Sequence, residues 1–333
     1  MMGVLRSQRL GLILLLGALA AACGEDARPE GGDNYERNKK LRKAICTALD
    51  WEERNDSFYN SKNVIYDGMI PPGLDGHPKN HKVEGMGYGG ANIELAKKLL
   101  AEAGYPGGQG LPAIEYYTSK AGNSKEQAEL LKRQLAEIGV KVNVRLVDFS
   151  TLIETINTKK APFFAFAWSS DYPDAENNLA LFYGPNESPG SNHFNYKNAE
   201  FDRLYEKVRS MKPGPERTAL YEKMRDIVIE EAPFAGAMAR TRHYVVQPAL
   251  KNFKPVEDFY NWVKYLDVDK ATSDGKKVLS LPMRTDGPKS LDPVQGSTVY
   301  DNRACTQVYQ TLVQYKYLRR PLALEPLLLA EMP

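Results

Sequence analysis

The sequence predicts an α/β fold, and two observations carry that prediction. From residue 39 onward, segments with the 3.6-residue apolar period of a helix alternate with short extended stretches, the pattern of a sheet flanked by helices. The composition is that of a folded body: 333 residues, 42% hydrophobic, 26% charged and 10% aromatic, about two domains' worth of chain. A mean hydropathy of -0.48 and a single long apolar run exclude a polytopic membrane protein. The formal charge of +2 comes from 44 basic and 42 acidic residues, and Arg6 and Arg9 alone account for the excess. The remainder is balanced, so nothing in the charge favours nucleic acid.

Each element follows from its local pattern. Lys39–Trp51 reads as a helix, with Leu41, Ile45 and Leu49 spaced by four, and a loop containing Ile70-Pro71-Pro72-Gly73-Leu74 follows. Asn92–Ala103 is a helix with Ile93, Ala96 and Leu100 on one face and Gly104 as its stop. Leu111–Tyr117 is extended. Ser124 is expected to cap a helix running to Ile138, closed by Gly139. Val140, Val142, Val144 and Leu146 alternate with polar residues, which predicts a strand buried on one face. Ser150 opens another helix, and Phe163–Trp168 is a continuous apolar run expected to be a strand covered on both faces. Two helices, 199–211 and 215–231, precede extended segments at 235–246 and 259–268. The polar run Ala271-Thr272-Ser273-Asp274-Gly275-Lys276-Lys277 marks a boundary, followed by a strand at Val278–Met283 and a helix at Tyr300–Leu312. No internal repeat is present.

The first residues behave differently. Arg6 and Arg9 form a basic region ahead of the apolar run Leu10–Ala22, too short to span a bilayer but of signal-peptide length. It ends in Leu19-Ala20-Ala21-Ala22-Cys23, which resembles the bacterial lipoprotein cleavage signal, with Cys23 as the lipidated residue; Ala20 stands where that signal usually has Leu. Ordinary secretion with cleavage after Ala22 is the alternative, and both take the chain out of the cytoplasm. Residues 24–38 are polar and suit a tether. Cys46 and Cys305 either form a disulfide, which an export compartment permits, or pack as buried thiols.

Few residues offer chemistry. Gly85-Met86-Gly87-Tyr88-Gly89-Gly90 fits G-x-G-x-x-G, but the residues before it are too polar for the buried strand that a dinucleotide site requires, so it reads as a loop. Of the four histidines only His77 and His81 share an i, i+4 spacing, and Pro78 disfavours a helix between them; no metal and no cofactor are expected. Asp171, Asp174 and Glu176 cluster after the apolar run, where paired carboxylates could do hydrolytic acid/base work, yet no nucleophile elbow accompanies them. The same segment, Trp168-Ser169-Ser170-Asp171-Tyr172-Pro173-Asp174, has a second reading. A strand leads into an aromatic and a carboxylate at its carboxyl end, where open α/β sheets bind ligands. Trp168 would be a flat wall and Asp171 a partner for an ammonium group. A structural Trp followed by a turn-starting Asp accounts for the same residues equally well.

Several blocks resemble the extracytoplasmic solute-binding proteins, family 5, of peptide, dipeptide and nickel ABC importers. They are Asn38–Ile45 through Ala48-Leu49-Asp50, Ile70-Pro71-Pro72-Gly73, Ala96–Pro106, Trp168–Asp174 and Asn195–Asp202, together covering about residues 38–268. The resemblance implies a bilobal, type II periplasmic-binding-protein-like fold that closes around its ligand. It also implies that Asp171 receives a peptide's N-terminal ammonium, that Trp168 and Ser169 border the peptide, and that Tyr172 joins them. The function implied is extracytoplasmic capture of peptides or similar small solutes for ABC permease subunits, at the periplasm or cell surface, with a lipid anchor at Cys23 and no enzyme activity. Residues 278–333, with Ser290-Leu291-Asp292-Pro293 and Leu324–Glu331, look like the family's beginning but come last, and the family's long middle section is missing. The expected organisation is a signal peptide at 1–22, a tether at 23–38, one fairly complete lobe at 39–268, a linker at 269–277 and part of the other lobe at 278–333. Two rival readings stay open: a truncated scaffold of this family that binds nothing, and a secreted hydrolase using Asp171 and Glu176.

Overall fold

A computed structural model describes residues 33–78, 90–241, 243–254, 261–269, 274–281, 287–288, 290–296, 298–319 and 322–332. The expected signal peptide, Cys23 and the tether up to residue 32, His81, most of the glycine-rich loop, residues 270–273 of the expected linker, and residues 242, 259–260 and 282–283 of the expected extended segments lie outside the described residues. The chain divides into two compact units. The first runs to Trp168 and resumes over Pro173–Thr241; the second takes Ser169–Tyr172 and the residues from 243 onward. Thr241, the last residue of the first unit, is tied to it by its N–H, which donates to Asn63 Oδ1 at 2.8 Å.

The first unit opens with helix α1 (Asp33–Ala48) and helix α2 (Trp51–Tyr59). One helix ending at Trp51 was expected. The break falls at Asp50, whose extended backbone and carboxylate, accepting from Glu53 N at 2.8 Å, start a new helix instead of continuing the old one. Helix α1 also reaches back to Asp33, into the stretch expected to be tether; Asn38 is buried and the Tyr35 hydroxyl bonds the Glu231 carboxylate. After strand β1 (Val64–Tyr66), helix α3 (Ile93–Glu102) is capped by Asn92, whose Oδ1 accepts from Leu95 N at 3.0 Å. It closes as the sequence predicts: Gly104, at φ 85°, donates to Ala101 O and Tyr105 N donates to Leu100 O, satisfying two carbonyls that the helix leaves open.

Strand β2 (Ile114–Ser119), helix α4 (Ser124–Ala136), strand β3 (Val142–Val147), helix α5 (Phe149–Asn157) and strand β4 (Phe163–Phe164) build a three-stranded parallel sheet in the order β3-β2-β4. Strand β2 is central and alternates as its sequence does, with Ile114, Tyr116 and Thr118 buried. Its apolar face closes over α1, α3 and α4 through Leu41, Ala44, Leu100, Leu135 and Ile138. The expected six-residue strand at 163–168 is cut to two residues. Pairing ends at Tyr117↔Phe164, with one more bond from Ala165 N to Tyr117 O, and Phe166 is 36% exposed.

Helix α6 (Ala175–Leu179), helix α7 (Ala199–Arg209) and helix α8 (Pro215–Glu231) enclose a second core around Phe182, Phe201, Leu204, Met224 and Val228. Helix α8 has the limits its sequence predicts. Strand β5 (Ala237–Ala239) returns antiparallel to β1, only a short part of the extended segment expected there.

The second unit has sparse regular structure: strands β6 (Leu250–Lys251) and β7 (Asp267–Val268), helix α9 (Val299–Cys305), and strands β8 (Val313–Tyr315) and β9 (Leu324–Pro326). Both strand pairs are antiparallel. Val278–Leu281 forms no strand, and α9 stops well short of Leu312. The Thr298–Asp301 capping box starts α9 firmly, but Val308, Tyr309 and Leu312 are exposed, so no apolar burial extends it. Cys46 and Cys305 are both buried free thiols, donating to Phe234 O and Leu291 O respectively.

Candidate functional site

Because β2, β3 and β4 are parallel, their carboxyl ends (Ser119, Val147 and Phe164) share one edge of the sheet. The chain leaves that edge from β4 toward Trp168, the position that an open α/β sheet offers to a ligand. Beneath it lies an aromatic stack. Phe164 stacks on Phe194 at 6.0 Å between ring centres, Phe194 stacks on Phe182 at 4.9 Å, and Phe166 meets His193 edge-on at 5.0 Å. Burial pushes the His193 pKa below its ordinary value, which favours a neutral ring there.

The seven residues Trp168–Asp174 split into two kinds. Trp168 is half-buried against the Phe182 core, and its indole Nε1 donates to Asn177 Oδ1 at 2.9 Å, which fixes the ring plane. Asp174 is a structural node. Its Oδ1 accepts from Glu176 N at 3.0 Å, capping α6, and from the Tyr221 hydroxyl at 2.7 Å, while its Oδ2 accepts from Arg217 Nη1 at 2.6 Å. Burial by itself would raise its pKa; these donors outweigh burial and hold the carboxyl below the usual range. Between them, Asp171 and Tyr172 are exposed, and Ser169 and Ser170 are half-exposed.

That division bears on both readings of the segment. Glu176 accepts from the Tyr205 hydroxyl, and Asp174 is held by Arg217 and Tyr221, so two of the three clustered carboxylates serve packing. Asp171 is exposed. Arg217, Tyr221 and Asn177 were not picked out from the sequence, because Arg217 and Tyr221 lie more than forty positions from the carboxylate they bind. One signal for them existed: Arg217 and Tyr221 fall on the buried stripe of α8 with Met224 and Val228, and an Arg on an apolar stripe requires an acid partner. The His77 Nδ1 lies 2.8 Å from Ile70 O and its ring packs edge-on against Tyr66. Among the described residues no group of three or more His, Cys, Asp or Glu is placed to hold a metal ion.

Residues 32–190 match the family described as bacterial extracellular solute-binding proteins, family 5 Middle. Over that stretch the chain is similar to the family 5 solute-binding proteins. Oligopeptide-binding protein AppA of Bacillus subtilis is 28% identical over 246 residues, covering 69% of this chain and 44% of that protein. Heme-binding protein A of Haemophilus influenzae is 29% identical over 222 residues, covering 63% of this chain and 40% of its own length. Among solved structures, AppA from Bacillus subtilis in complex with a nonapeptide superposes with a TM-score of 0.60 at 25% identity, over 70% of this chain and 48% of that one. The α/β, periplasmic-binding-protein-like class expected from the sequence is the class of these family 5 neighbours. The chain spans less than half the length of the curated relatives it matches.

Proposed function

We propose that this chain is a substrate-binding component of an ABC importer, capturing peptides or similar small solutes outside the cytoplasm and presenting them to permease subunits. The observation that carries this reading is the position of the Trp168–Tyr172 segment. It continues β4 at the carboxyl edge of the parallel sheet, with an immobilised indole and an exposed carboxylate within four residues. The relationship to AppA, whose solved structure holds a nonapeptide, supports it. In this reading Asp171 pairs with the ligand's ammonium group, Trp168 is an apolar wall and Ser169 and Tyr172 border the ligand. The protein binds and releases without a chemical step, and Cys23 carries the lipid that holds it at the membrane surface.

The test compares a peptide bearing a free N-terminal amine with its N-acetylated twin by calorimetry on the full chain. Wild-type protein should prefer the free amine, and Asp171→Ala should lose that preference while keeping its fold. An unchanged preference in Asp171→Ala overturns the assignment of Asp171; no binding of any peptide overturns the peptide-capture reading.

A further inference from the structure

Most half-buried or buried arginines of the first unit are neutralised on the spot. Arg217 pairs with Asp174, Arg225 with Asp226 at 2.8 Å, and Arg42 with Glu231 at 3.8 Å. Arg54, on α2, is different. Its Nε and Nη2 both donate to one neutral acceptor, Gln127 Oε1, at 3.1 and 2.6 Å. Its guanidinium lies over the Trp51 ring at 4.9 Å. No described carboxylate stands within ion-pair distance; Glu53, the residue before it in sequence, is taken by Arg133 and Gln134. A guanidinium has five N–H donors, so Gln127 leaves several unspent.

The surroundings sharpen this. Burial weakens the proton's hold on Arg54, against the steadying influence of the Tyr116 and Tyr59 phenols, and Arg240, just after β5, adds a smaller repulsion. Gln127 Nε2 donates to the Tyr59 hydroxyl at 3.0 Å, so the Tyr59 proton is also available to an acceptor. Burying a cation without an acid partner is costly, and a second cation nearby adds to the cost; an arrangement of this kind is relieved by an anion from outside. Its location is informative. Gln127 is in the first turn of α4, the helix that leaves the carboxyl end of β2, so Arg54 is held at the same sheet edge from which β4 runs on to Trp168.

We propose that Arg54, positioned by Gln127 and Trp51 and assisted by Tyr59, is an anion subsite that takes a carboxylate of the captured solute. This rests on the solute-capture reading above and makes it narrower: the preferred solutes carry a carboxylate as well as an amine. Planar, two-pronged donation from the guanidinium suits a carboxylate geometrically, and the Trp51 face limits water access on one side.

The experiment uses the full chain with tri-alanine and tri-alaninamide, which share a free amine and differ only in the terminal carboxylate. By calorimetry, wild type should bind the acid about tenfold more tightly than the amide. Arg54→Gln should level the two by weakening the acid alone. Gln127→Glu keeps Arg54 and supplies an internal carboxylate, so it should also lose the acid preference. Equal wild-type affinity for acid and amide, or an acid preference that survives both substitutions, overturns the subsite while leaving solute capture standing. If neither tripeptide binds, peptide capture fails, and the subsite is judged by thermal stabilisation at constant ionic strength with succinate against succinamide. Stabilisation by succinate alone, absent in Gln127→Glu, upholds the subsite; no difference between the two compounds overturns it.

Discussion

Asp174→Ala should unfold the first unit far more readily than Asp171→Ala, although the two aspartates are three residues apart and were indistinguishable by composition. Removing the Asp174 carboxylate leaves Arg217, 8% exposed, without its ion-pair partner, takes the acceptor from the Tyr221 hydroxyl and uncaps α6. Breaking a buried pair from one side costs about 3–5 kcal/mol and losing a cap about 1 kcal/mol. These do not simply add, since Arg217 Nε keeps its bond to Val208 O at 3.1 Å and the guanidinium keeps the Tyr221 ring at 5.0 Å. The expected cost is therefore about 4 kcal/mol for Asp174→Ala. For the exposed Asp171→Ala it is about 0.5 kcal/mol or less. Urea unfolding followed by tryptophan fluorescence reads the difference, as a midpoint lowered by about 1 M or more for Asp174→Ala and little moved for Asp171→Ala. The carboxyl's depressed pKa adds a signature. Its stabilisation is present above the ordinary aspartate value of about 4 and is lost as pH falls through the lower folded value, so the gap between wild type and Asp174→Asn should narrow as the pH is lowered below about 4. Equal costs at the two aspartates, or a gap that holds constant on acidification, would refute the division of this segment into a buried anchor and a presented carboxylate.

Gly139→Ala should be severely destabilising, because a Cβ there would stand 2.2 Å from Gly107 O at a φ of 85°; Gly73→Ala, with a positive φ but open space around it, should cost only about 1 kcal/mol. Chemical denaturation of the two variants separates the steric contribution from the backbone one, and similar costs would show that the Gly107–Gly139 approach relaxes freely. Burial pushes the Cys46 thiol up to about 12, so Cys46 should resist alkylation in the folded chain; Cys305 should resist because it is shielded from reagent, and both should react after denaturation without reductant. Peptide mapping checks this, and a pair that stays unlabelled until reduced would reveal a disulfide.

Much of the first unit was legible locally. The Asn92 cap, the Gly104 stop, the Gly139 turn and the limits of α8 are decided within a few residues of each other, so short-range hydrogen bonding and apolar period suffice to read them. Strand β2 was legible as an extended segment, though it runs to Ser119, two residues past the expected end. The length of β4 was not legible, since Phe163–Trp168 is apolar throughout and only the pairing partner, which ends at Tyr117, decides where the strand stops. The break at Asp50 was lost because one capping carboxylate interrupts an otherwise continuous helical period.

The candidate site divides in the same way. The sequence by itself determined that an aromatic and three carboxylates follow β4, and that the chain resembles family 5 solute-binding proteins. Which carboxylate is an anchor and which is presented was decided by helix α8, which brings Arg217 and Tyr221 onto Asp174 from far along the chain. The same holds for Arg54, whose want of an acid partner is invisible in sequence and arises only when α2 packs it against Gln127 of α4. Hydrogen bonds and ion pairs act over a few ångströms, so where folding brings distant segments together, the identity of a side chain leaves its role undetermined until its neighbours are in place.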